Sequence, residues 1–201
     1  MEKLILVKPT LYLPKNITIV GSGKIILKKK NGKEIDKSNY VVRFNFANTD
    51  KFKAYAGSKT SLMVINNHWY RTLENNQTKQ KNRFLIISPG MLLKHKVVSE
   101  CFFLSRKRNQ YLLALRFIKH FDIFLDLIII LNKKNFSIGL CIILLGIASK
   151  LNLKIFGFDL EENMLKREHY YQKQAIGGVH NLVAEHNVLK KLRNLKLIKL
   201  K

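Results

Sequence analysis

Residues 16–26, NITIVGSGKII, place the tightest limit on what this chain can fold into: an alternating β-branched run halts at Gly-Ser-Gly. Val, Ile and Thr are stiff at χ1 and suit a pleated, half-buried surface, and the glycine pair supplies the turn that ends the strand. The pattern recurs in YVVRFNFA (40–47), TSLMVINN (60–67) and NRFLIISP (82–89), the last stopped by Pro89-Gly90. LKIFGFD (153–159) predicts a further strand that ends in Gly-Phe-Asp.

The segments between these strands read as helices. Helical periodicity covers about 109–120, whereas DIFLDLIII (122–130) fits a short helix or a buried strand equally well. Ser137 is placed to cap a helix over 138–151 that is apolar nearly all round and therefore buried. A last helix is predicted from His180 or Asn181 through Leu195, before a basic tail. Short strands alternating with helices predict an α/β fold: a single Rossmann-like domain over residues 1–201, with a mostly parallel sheet flanked by helices. Ligands of such sheets gather at the carboxyl ends of the strands, so Ser22–Lys24, Asn45, Asn66 and the loop after Phe158 should face one crevice. The Gly-Ser-Gly turn would let backbone N–H groups approach a phosphate or ribose there. Taken alone it is more often a plain tight turn, because the full G-x-G-x-x-G fingerprint is absent.

The chain carries 37 Lys and Arg against 13 Asp and Glu, a net charge of +24. That draws it toward something anionic: nucleic acid, a membrane face or a phosphorylated substrate. Cys101 and Cys141 lie in apolar surroundings and read as buried thiols, with no zinc spacing. FDIFLDLIIIL (121–131) and IGLCIILLGIA (138–148) are each about half the ~20 residues of a membrane span, so buried core is their simplest reading. FDLEEN (158–163) reads as a solvated acidic turn rather than a metal site.

REHYYQKQAIGGVHNLVAEH (167–186) holds three of the six histidines around a Gly-Gly pair. These are either surface histidines on a loop or a pair of proton carriers that work near neutral pH.

The wider sequence favours the second reading. Residues 16–67 resemble the large sialylmotif of the animal-type sialyltransferases: the strand and V-G-x-G loop, the basic spacer, the EID turn, the strand ending VVRFN, and AGSKTSLMVIN. NFSIGLCIILLGIASKLNLKIFGFD (135–159) resembles the small sialylmotif, HYY (169–171) the third motif, and HNLVAE (180–185) the very small motif. All four occur in the family's order, and the likeness is greatest to the α2,8/polysialyl branch. The resemblance implies a GT-A-like variant of the Rossmann fold. It also implies a metal-independent enzyme that takes its sugar from a CMP-activated donor and inverts the anomeric centre. It needs no cofactor, since the CMP-sugar is a substrate. On this likeness His180 is the base for the acceptor hydroxyl and His169 bonds the departing phosphate. Asn45 reaches the nucleotide, Ser137 and Gly139 hold cytidine, and Gly21, Ser22 and Gly23 shape the first loop. Asn66 and Gly157 complete the donor site. Glu185 is expected to support the histidine loop structurally, and Tyr170 and Tyr171 either wall the site or belong to the core.

The departures from the family are specific. Its loop asparagine is Ser22 here and its small-motif threonine is Ile138. The cysteines that join its large and small motifs fall at Ile17 and Lys150, so that disulfide cannot form. No stem or anchor is recognisable, which fits a short bacterial or viral member in the cytoplasm, peripheral at the inner membrane face. The expected partners are the CMP-sialic acid donor, a glycan or glycolipid acceptor and an anionic membrane surface, with no nucleic acid. Three alternatives remain open at this level: a CMP-Kdo-dependent transferase, an inactive basic scaffold, and a nucleic-acid-binding module. The last lacks any recognition motif with interleaved aromatics.

Overall fold

The computed structural model describes residues 13–45, 47–66, 83–87, 107–158, 160, 169–171 and 181–201, and of Asn66, residues 83–87 and residues 107–109 it describes the backbone only. Among the described residues six strands form one sheet: β1 (Asn16–Val20), β2 (Val41–Phe44), β3 (Leu62–Asn66), β4 (Arg83–Ile87), β5 (Asn152–Phe156) and the two-residue β6 (Lys199–Leu200). Their order is β4-β3-β2-β1-β5-β6, and every pairing is parallel. The mostly parallel sheet read from the sequence is thus wholly parallel among the described residues.

The helices, in chain order, are α1 (Gly32–Asp36), α2 (Lys53–Ala56), α3 (Lys107–Leu115), α4 (Phe121–Lys133), α5 (Ile138–Ala148) and α6 (Leu182–Asn194). One face of the sheet (Ile17, Ile19, Val42, Phe44, Leu62, Val64, Leu153, Ile155) packs against the apolar sides of α3, α4, α5 and α6. The other face places Val20, Val41 and Phe156 against Ile26, Ile35, Ala56 and Tyr170. Both faces are covered, which explains why the strands read as β-branched runs rather than a clean polar alternation. Among the described residues no helix is long and apolar enough to cross a membrane.

Several sequence expectations are refined. Segment 122–130 is a helix. Helix α5 ends at Ala148, three residues before the predicted end, and Lys150 follows at φ 57 in the left-handed region that ends helices. The EID turn is the end of a helix. The reading of 121–131 as buried core holds for one side of α4 only: Phe121, Leu125 and Ile129 point outward and are exposed. Cys141 is fully buried in the core as expected, whereas Cys101 lies outside the described residues.

Candidate active site

From β1 the chain winds outward through β2, β3 and β4, then returns to place β5 on β1's other side. The winding direction reverses there, and in an open parallel sheet that reversal opens a crevice at the carboxyl edge. The loops after β1 and β5 meet at this point. A Cβ on Gly21 would lie 2.6 Å from the Gly157 carbonyl oxygen and 2.7 Å from the Phe158 ring, and one on Gly157 would lie 2.6 Å from the Gly21 oxygen. Gly157 also has φ 70, so two requirements demand glycine there. The approach is fastened by Gly21 N–H to Phe156 O at 2.8 Å and Gly23 N–H to Gly157 O at 2.9 Å. The two glycine amides that the sequence offered to a phosphate are therefore engaged by the end of β5. Their part is to bring the two loops together.

The 169–171 segment docks on the same loop. Gly23 and His169 form an antiparallel bridge, and the Tyr170 amide donates to Ser22 O at 2.9 Å. The His169 ring stacks on Tyr171 with centroids 5.1 Å apart and an interplanar angle of 11°. Half-burial holds His169 below the usual imidazole value, against a hydrogen bond to the Ser22 backbone that favours the charged ring. Burial raises Tyr171, opposed by a hydrogen bond with the Ser22 side chain. Ser22 thus ties the histidine segment to the first loop through backbone and side chain alike.

The N-terminus of α5 comes to the same edge. A Cβ on Gly139 would sit 3.0 Å from the Phe158 ring, so Phe158 touches both the first loop and the start of α5. Ser137 caps the helix as predicted, its Oγ accepting from the Leu140 amide at 3.1 Å. The other half of a capping box, a glutamate reaching back to the N-cap amide, normally lies three residues on in the same helix. Here Glu185 of α6 supplies it: Oε1 accepts from the Ser137 amide at 2.7 Å and Oε2 from the Ser137 hydroxyl at 2.5 Å. Both partners are neutral and the carboxyl is buried, which pushes it up to about 7. Helix α6 is itself capped by Asn181, whose side chain accepts from the Ala184 amide.

Beneath the site Arg43 is 1% exposed on β2, donating to Lys59 O at 3.0 Å and Ala56 O at 2.7 Å. Asp36 holds the same loop from the other side, its carboxylate accepting from the Ser58 and Lys59 amides at 2.8 Å each. Among the described residues the Arg43 Nη1 and the Tyr170 hydroxyl are buried without a hydrogen-bond partner. Burial lowers Arg43 and raises Tyr170, the latter to about 12, and each favours the charged form of the other. Arg43, Asp36 and Phe158 were missed as site residues. The readable signal was an arginine at an inward position of a β-branched strand.

Asn45 directly follows β2 at φ 49, a left-handed position that asparagine tolerates, with its amide donating to Val64 O at 3.0 Å. Asn66 ends β3 on the same edge of the sheet. His180 and the acidic turn at Asp159 and 161–163 lie outside the described residues. Among the described residues no cluster of His, Cys, Asp and Glu could hold a metal ion. Ile17 is buried in β1 and Lys150 is exposed.

Loops from three separated parts of the chain thus converge on one crevice, and their residues follow a known pattern. The family model for glycosyltransferase family 29 (sialyltransferase) matches residues 15–197. The chain belongs to the sialyltransferases of glycosyltransferase family 29. Solved sialyltransferases share the architecture. A mammalian sialyltransferase crystallised with Gal-beta-1-3GalNAc-ortho-nitrophenol superposes with TM-score 0.60 at 17% identity, over 93% of this chain and 69% of that one. A second mammalian sialyltransferase structure gives TM-score 0.58 at 18% identity, over 93% and 68%. At such identity the likeness is one of fold. Family membership implies a CMP-sialic acid donor and a glycan acceptor.

Proposed function

We propose that the whole chain forms one inverting glycosyltransferase domain, which moves a sialic acid from CMP-sialic acid to a hydroxyl of a glycan or glycolipid without a metal ion. The bond from the anomeric carbon to the CMP phosphate breaks as the acceptor oxygen attacks from the opposite side. His180 takes the acceptor's proton, and His169 donates a hydrogen bond to the phosphate as negative charge develops on it. With one ring nitrogen held by Ser22, His169 donates to phosphate through the other once that nitrogen is protonated. The approaching phosphate charge favours that protonation. Gly21, Ser22 and Gly23, with Asn45, Asn66 and Gly157, line the donor side. Ser137 and Gly139 present the start of α5, a favourable site for an anion.

The observation that carries this reading is the convergence of the first loop, Gly157-Phe158, the α5 cap and His169 at the reversal point of the sheet. The likeness to the α2,8 branch makes a sialylated acceptor the first to try. The net charge of +24 suits work at the anionic inner face of a membrane, as expected of a short bacterial or viral enzyme in the cytoplasm. The test is to incubate the chain separately with CMP-Neu5Ac and CMP-Kdo, over a panel of glycan and glycolipid acceptors, and follow CMP release. Acceptor-dependent release from CMP-Neu5Ac supports the proposal. Release from CMP-Kdo alone reassigns the donor, and CMP binding without transfer to any acceptor identifies an inactive scaffold.

A further inference from the structure

Helix α4 is apolar on both sides, yet only one side is buried. Ile123, Leu127, Ile130 and Leu131 face the core. Phe121, Leu125 and Ile129 recur every fourth residue, so they line one outward stripe, at 59%, 41% and 51% exposure. Ile118, in the turn before α4, and Leu115, at the end of α3, are exposed as well. Scattered single apolar residues on a surface need no explanation, but a run of five within residues 115–129 does.

Charge selects what covers it. Residues 107–134 carry six Lys or Arg and two Asp. Asp126 is paired with Lys191 of α6 at 2.7 Å, and Lys191 also donates to the Asp122 carbonyl at 3.3 Å. Asp122 lies in the first turn of α4, where the positive end of the helix offsets it. Exposed Arg116 and Lys119 accompany the start of the stripe, and exposed Lys133 and Lys134 follow its end. A second copy of the chain would bring another +24 against this one. An anionic lipid surface instead accommodates the apolar side chains and the cations together.

We infer that the face formed by Leu115, Ile118, Phe121, Leu125 and Ile129 docks on an anionic lipid surface. The apolar side chains enter the acyl boundary, and Arg116, Lys119, Lys133 and Lys134 meet the lipid phosphates. This goes beyond the transfer reaction and does not depend on it. It assigns to one face, through apolar contact, what net charge alone would spread over the whole surface.

The test uses the full chain and vesicles of phosphatidylcholine, alone or mixed with phosphatidylglycerol. The wild-type chain should co-sediment with the mixed vesicles and not with phosphatidylcholine alone. The double variant Leu125→Ser, Ile129→Ser should bind the mixed vesicles roughly tenfold more weakly, the effect of withdrawing two partly inserted aliphatic side chains. Lys119→Glu with Lys133→Glu should weaken binding too. All four positions are exposed, and unchanged melting curves confirm folding. Hydrogen exchange of the wild-type chain, which needs no variant, should slow over residues 115–129 on the mixed vesicles. Wild-type binding retained by the serine variant, no binding to mixed vesicles, or exchange protection that leaves 115–129 untouched overturns the inference. So does a wild-type dimer in sedimentation equilibrium that the serine variant dissociates while vesicle binding is unchanged.

Discussion

Replacing Glu185 by Gln should remove one component of the pH dependence of stability, and its size follows from the geometry. The Glu185 carboxyl is buried against the neutral amide and hydroxyl of Ser137, at 2.7 and 2.5 Å. Burial pushes it from 4.5 up to about 7, which at about 1.36 kcal/mol per pH unit amounts to roughly 3 kcal/mol. Because the folded pKa is raised, the native state holds this proton more tightly than the unfolded chain does. The contribution to stability is therefore fully present below about pH 4.5, declines as pH rises toward 7, and is absent above it. Glutamine cannot ionise. Its Oε1 keeps the Ser137 amide bond, and its NH₂ can donate to Ser137 Oγ at a cost of about 1 kcal/mol for redirecting the hydroxyl. At pH 5, already above the unfolded value, the two should be about equally stable, and at pH 8 the variant should be the more stable by roughly 2 kcal/mol. Urea unfolding followed by circular dichroism at the two pH values measures both differences. His169, held low by burial, has the opposite slope, but it is present in both proteins and cancels in the comparison. A wild-type-minus-variant difference that is the same at pH 5 and pH 8 would refute the reasoning.

His180→Ala should lower turnover by roughly 10²–10⁴, the usual worth of a general base, with CMP affinity unchanged in calorimetry. His169→Ala should lower turnover and CMP affinity together; near-wild-type transfer by His180→Ala would remove it as the base. Gly157→Ala should destabilise the fold by at least about 1–2 kcal/mol from its left-handed backbone alone, and more from the contact with Gly21 O, read as a lower unfolding midpoint. Transfer should persist in excess EDTA; complete loss restored by Mg²⁺ or Mn²⁺ would refute metal independence.

Much of this protein is local and so legible in the sequence. Strand ends at Val20, Phe44, Asn66 and Phe156 are marked by glycine or asparagine close by, because those residues favour the turns that follow. The Ser137 cap was readable because an N-cap bonds an amide three residues away. Segment 122–130 was not legible, since a short apolar run serves a buried strand or a helix alike and only packing separates them.

The sequence by itself determined the alternation of strands and helices and the places where each strand must turn, and it singled out the histidines and small residues proposed for the site. Tertiary structure decided what those residues touch. Glu185 completes the cap of Ser137 from 48 residues away. Gly21 and Gly157 are required by one another only because β1 and β5 lie side by side. Arg43 can be buried because Ala56 and Lys59 turn their carbonyls inward to meet it. The outward stripe of α4 looks in sequence like more core. The physical reason is the same in each case: periodicity and propensity act over a few residues, whereas burial and pairing depend on which distant segment the fold brings alongside.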